Sequence, residues 1–212
     1  VVVRADDAPF ATEVLRRRRG MLTSLGVVVV PVGPADVELV RAVTDWAPPE
    51  YRVEFAVVDP PPDRQAADAL ELIAAHLDRL AWPRTSVPDR GGRRGDVLAA
   101  AVAACSAEFV VVGRGEPPEL RALGPALGHL WIQGADAVMV PADPGRFGAV
   151  GGPERRVAEM LGLVAGAGGG VVILRRWVAR FLLDDLGRAL DPVEEFLDRA
   201  GLLELRVVEF VP

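Results

Sequence analysis

The chain has no lysine and no asparagine, a single cysteine and two histidines in 212 residues. Each scarcity removes a class of chemistry. One cysteine, Cys105, excludes an internal disulfide framework and any multi-cysteine metal centre, and His76 and His129 alone leave little for zinc. No serine stands in a G-x-S-x-G elbow, so the strained nucleophile turn of a hydrolase is missing. No apolar run approaches the roughly 20 residues that span a bilayer, and no basic-then-apolar leader is visible; a soluble, bacterial-type cytoplasmic protein is expected. A formal net charge of −6 offers no basic face for phosphate neutralisation, which argues against a nucleic-acid partner.

What is present is half hydrophobic, enough for one good core in one α/β domain with appendages. All 24 basic residues are arginine, and alanine, glycine, proline, valine and leucine dominate. That bias looks like a GC-rich genome and is background against which any arginine must be weighed. The one dense basic run, Arg16 to Arg19, wraps most of a helical turn and reads first as a solvated face, with an anionic acceptor or lipid surface as the alternative.

Apolar, β-branched runs of strand length recur at 26–32, 51–59, 108–113, 136–141, 169–174 and 205–211, as strands covered on both faces must be. Helical patterns fall between them at 35–47, 63–81, 96–107 (capped by Asp96) and 118–131 (broken near Gly124-Pro125). The alternation predicts an α/β fold, a mostly parallel twisted sheet with helices on both faces and right-handed crossovers. The expected organisation is an N-terminal helical extension at 1–25, a first α/β half at 26–141, a Pro/Gly-rich flexible loop at 142–156, and a second half of the same domain at 157–212.

Ligands on such sheets bind outside the carboxyl ends of the strands, so the loops there carry the candidate chemistry. They are Pro31-Val32-Gly33-Pro34, Asp59-Pro60-Pro61-Pro62-Asp63 and Gly113-Arg114-Gly115-Glu116. An aspartate at a strand end can accept hydrogen bonds from a base or ribose; capping the following helix is the plainer role, more so for Asp63 than for Asp59. The glycine run at 166–170 precedes a strand and lacks a Lys-Ser/Thr, so it is not a phosphate loop. His76 and His129 read as partly buried surface histidines, Cys105 as a small core residue. Glu194, Glu195, Asp198 and Arg199 form an acidic amphipathic helix, read first as a solvated face with an arginine partner.

These features together resemble the GT-A-type inverting glycosyltransferases of the large family 2 group. "VVVVPVGPADVELVRAVTDW" is similar to that family's opening strand, proline and first helix. "VEFAVVDPPPD" is similar to the second strand, whose terminal aspartate contacts the nucleobase; that role would fall to Asp59. "GDVLAAAVAACSAEFVVVGRGEPPE" matches the family's alanine-rich helix, strand and metal-binding D-x-D, except that Arg114-Gly115-Glu116 replaces the D-x-D and Ala99 replaces an asparagine. The tail from "GGGVVILRR" to "DPVEEFLDRAG" is similar to the acceptor-side pattern, where the acidic pair supplies the catalytic base; Glu195, beside Glu194, would be that residue.

The resemblance implies a nucleoside diphosphate sugar or another nucleotide as partner, with Asp59, Glu116, Pro31 and Asp63 around it. Two functions stay open. In a metal-independent or weakly metal-dependent transferase, Arg114 would stabilise the leaving diphosphate and Glu195 would act as general base. In a noncatalytic relative, the fold would serve as a binding or assembly partner in a carbohydrate or natural-product pathway, as a homo-oligomer or with a partner protein. No cofactor is expected beyond weakly held Mg2+ or Mn2+, since one acid, Glu116, is a poor site for a hard cation. A nucleotidyltransferase of related fold ranks last, because "PVGPADVE" has no nearby cation.

Overall fold

The computed structural model describes residues 2–4, 23–47, 51–60, 63–89, 91–114, 123–132, 134–143, 152–164 and 169–211. The Arg16–Arg19 run, Glu116 and most of the glycine run lie outside them.

Among the described residues eight strands form one sheet: β1 (Val2–Arg4), β2 (Thr23–Val29), β3 (Tyr51–Asp59), β4 (Arg84–Pro88), β5 (Phe109–Arg114), β6 (Ala137–Pro141), β7 (Gly170–Arg175) and β8 (Val207–Val211). Their order is β1-β8-β6-β7-β5-β2-β3-β4. Only β7 runs antiparallel to its neighbours, β5 and β6; every other pairing among the described residues is parallel. The reversal has a consequence for the site: Arg114 at the end of β5 pairs with Gly170 at the start of β7.

The connecting helices are α1 (Pro34–Trp46), α2 (Arg64–Arg79), α3 (Arg94–Ala104), α4 (Leu123–Ile132), α5 (Pro153–Met160), α6 (Arg176–Leu183) and α7 (Pro192–Leu202). Alternation along each strand divides the apolar side chains between two cores. Leu25, Val27, Phe55, Val57, Phe109 and Val111 pack under α1, α2 and α4. Val28, Ala56, Val58, Val110 and Val112 face α3, α5, α6 and α7. Strands buried on both faces explain the unbroken valine runs.

Several expectations need correction. The edge strand β4 was not predicted: only Val87 of its five residues is buried, so "RTSVP" lacks an apolar signature. α3 starts at Arg94 behind Arg93, which puts Asp96 in the first turn and not at the cap. Gly124-Pro125 lies within the helical residues Leu123–Ile132 of α4, and residues 118–122 of the expected helix lie outside the described residues. α5 begins at Pro153, inside the stretch read as a loop, and β2 begins at Thr23, inside the stretch read as an N-terminal extension. His129 is a core residue, 4% exposed, with its ring 5.7 Å from that of Phe210.

Cys105 ends α3 and is buried, as a small core residue should be. Burial first, and the Glu54 carboxylate second, push its thiol from the ordinary 9.0 to about 12, with Arg176 opposing. The folded value is the raised one, so this group's contribution to stability is complete below pH 9 and is lost as the pH climbs toward 12. At pH 8.5 the folded chain should resist iodoacetamide and label fully only in denaturant; rapid labelling of the native protein would contradict the buried placement.

Candidate functional site

A cleft of about 500 Å³ opens where β2 and β5 end and β7 begins. Its walls include Val32 and Gly33 from the turn after β2, Gln65 from α2, Arg94 from α3, Arg114 from β5 and Gly162 beyond α5. Asp36 in the first turn of α1 also lines it. Only 6% exposed, Asp36 accepts hydrogen bonds from the backbone N–H of Val32 at 2.7 Å and of Gly33 at 3.0 Å, both on one carboxylate oxygen. It therefore fixes the turn after β2 at the rim of the cleft.

The two arginines converge on one glycine. A Cβ at Gly162 would lie 3.3 Å from both Arg94 Nε and Arg114 Nη1. Among the described residues their hydrogen-bond partners are backbone carbonyls: Arg94 Nε donates to Leu161 at 3.4 Å, and Arg114 Nη1 to Val164 at 3.3 Å and Glu159 at 3.5 Å. These bonds are long, at the weak end of the range. Burial, then the charge of Arg114, lowers the pKa of Arg94, while Asp36 raises it. The charged form of Arg94 is thus disfavoured by its surroundings, which an anion would relieve.

Gly162 has φ +76°, a conformation that costs an L side chain roughly 1–2 kcal/mol. Gly162→Ala should lower stability by about that much and also displace both guanidinium groups. A melting temperature equal to wild type would contradict the strained placement.

The sequence-derived candidates scatter. Arg114 reaches the cleft. Pro31 is buried and is not among its lining residues. Asp59 ends β3 one strand away, where Ser86 Oγ lies 2.7 Å from both its carboxylate oxygens. Asp63 caps α2, accepting from Ala66 N at 3.0 Å. Glu195 on α7 does not line the cleft; Arg199, one helical turn on, donates to it at 2.7 Å. His76 joins α2 to α1 through Thr44 Oγ1 at 2.8 Å. Arg94 was missed, although its position just after Gly91-Gly92, at the head of a helix leading into β5, was a usable signal.

No family model matches the chain, and no curated protein matches it. Solved structures do. A mannosyltransferase from Pyrobaculum calidifontis in complex with GDP-Man and Mn2+ superposes with a TM-score of 0.59 at 19% identity, over 96% of this chain and 65% of that one. The fold is GT-A-like. Glucosyl-3-phosphoglycerate synthase from Mycobacterium tuberculosis, in complex with Mg2+ and UDP, gives 0.55 at 13% identity over 95% and 73%. CMP:2-keto-3-deoxy-manno-octonic acid synthetase complexed with CTP gives 0.50 at 12% identity over 91% of each chain. This GT-A-like chain thus spans about two thirds of the mannosyltransferase, 65% of its length.

The two transferase complexes contain a divalent cation. Among the described residues lining the cleft, Arg114 and Arg94 present guanidinium groups, and the one acid, Asp36, accepts from two backbone N–H groups on one oxygen. Among the described residues no group of three or more His, Cys, Asp or Glu could hold a metal ion. Nor, among them, is any helix long and apolar enough to cross a membrane.

Proposed function

We propose that this GT-A-like protein binds a nucleoside diphosphate sugar in the cleft without a divalent cation, as a binding or assembly protein and not as a transferase. The observation that carries the reading is Arg114, a cation at the end of β5 that lines the cleft. A diphosphate needs positive charge, and a guanidinium supplies it with two parallel N–H donors matched to phosphate oxygens. The absence of transfer is supported by Glu195: the proposed general base is held by Arg199 and does not line the cleft, and a base must come within hydrogen-bond reach of the proton it takes.

Calorimetric titration with UDP-, GDP- and dTDP-sugars in EDTA tests the reading. Binding of at least one donor with no detectable sugar transfer or hydrolysis is expected. No affinity for any of them would sink it, and turnover abolished by Glu195→Gln would restore the transferase.

A nucleotidyltransferase is the second reading, favoured by the match over 91% of both chains to the synthetase complexed with CTP. The objection that no cation lies near Gly33 is weakened, because Arg94 and Arg114 share its cleft. Adding CTP to the panel separates the two: a preference for the triphosphate would favour this alternative.

A further inference from the structure

We infer that Arg94 and Arg114 form one anion site that holds both phosphoryl groups of a diphosphate, and that inorganic pyrophosphate alone occupies it. This deepens the nucleotide reading of the cleft and rests on it for the identity of the natural ligand. The two guanidinium groups come from different elements, α3 and β5, and meet against the same face of Gly162. Two like charges brought together without a carboxylate partner repel one another. Among the described residues neither arginine has an ion pair, and the hydrogen bonds given above use only Nε of Arg94 and Nη1 of Arg114. Among the described residues no hydrogen bond engages the Nη atoms of Arg94 or Nε and Nη2 of Arg114.

The counter-charge is modest. Among the described residues Asp36 is the one acid lining the cleft, against the two arginines, and both its backbone bonds fall on a single oxygen. Gln65 adds a neutral amide to the lining beside Gly33, where a Cβ would lie 3.0 Å from Gln65 Nε2. A ligand with two adjacent phosphoryl groups matches two adjacent forks; a single phosphate satisfies one of them.

The test is calorimetric titration with inorganic pyrophosphate and with inorganic phosphate in EDTA, on wild type, Arg94→Met, Arg94→Lys and Arg188→Met. Arg188 pairs with Asp185 at 3.0 Å on the surface and controls for loss of overall charge. Pyrophosphate should bind at least about 10-fold more tightly than phosphate, and Arg94→Met should cost about 10- to 100-fold in pyrophosphate affinity. Arg94→Lys should recover part of that loss, and Arg188→Met should change little. Thermal melts establish that each variant is folded. Pyrophosphate binding that is unchanged in folded Arg94→Met overturns the inference, as does no preference for pyrophosphate over phosphate. Nucleotide-sugar binding that ignores Arg94 would do so too, while leaving the nucleotide reading intact. Pyrophosphate binding without affinity for any nucleotide would keep the anion site and overturn the nucleotide reading instead.

Discussion

Arg114→Ala should weaken the binding of a nucleoside diphosphate sugar by about 100-fold, the upper end of what a charge-assisted hydrogen-bonding partner supplies. Stability should hardly move. Among the described residues the side chain makes hydrogen bonds of 3.3 and 3.5 Å to the carbonyls of Val164 and Glu159 and no others, and its removal relieves the charge that lowers the pKa of Arg94. A large loss of affinity with a melting temperature within about 2 °C of wild type identifies a ligand-binding arginine. A large drop in melting temperature with affinity retained would make Arg114 a structural tie between β5 and the segment after α5.

Asp36→Ala should do the reverse. Its carboxylate satisfies two backbone N–H groups at the rim, and truncation leaves both without their acceptor in a buried setting. Hydrogen bonds to a charged group contribute about 1.5–3 kcal/mol each, so a loss of about 3 kcal/mol is expected. For a chain of this size that lowers the melting temperature by roughly 6–12 °C. Asp36→Asn offers a sharper contrast. Both N–H groups donate to the same oxygen, which an amide can replace, so most of the stability should survive. The cleft meanwhile loses its negative charge, and anions should bind a few-fold more tightly. Thermal melts and pyrophosphate titrations on the two variants check both signs; equal destabilisation by Asn and Ala would show that the charge, and not the hydrogen bonds, holds the rim.

The layered fold was legible because strands covered on both faces leave continuous apolar runs. "VEFAVVD" and "EFVVVG" could be little else, and β3 and β5 lie where they were predicted. An edge strand is covered less, so β4 wrote almost nothing into the sequence. The reversed direction of β7 was also invisible, since a buried strand reads alike both ways.

Half of the anion site was legible and half was not. Arg114 stood out at the end of a valine run, where a ligand-facing turn is expected. Arg94 lies in "GGRRGD", in a chain whose cations are all arginine, and composition alone gave no reason to separate it from Arg93. The structure separates them: Arg93 donates to the carbonyl of Ala189 at 2.6 Å, whereas Arg94 lines the cleft with Arg114. For Glu195 the family resemblance implied a catalytic base, while the residues alone read as a solvated face with an arginine partner; Arg199, at i,i+4 spacing, is that partner.

The measurement that bears most directly on a cleft charged by arginine is titration of the wild-type chain with UDP- and GDP-sugars, once in EDTA and once in excess Mn2+. Affinity in EDTA should equal or exceed that with Mn2+, because the cation draws diphosphate oxygens away from Arg94 and Arg114. Binding that appears only when Mn2+ is added would contradict this reading of the site.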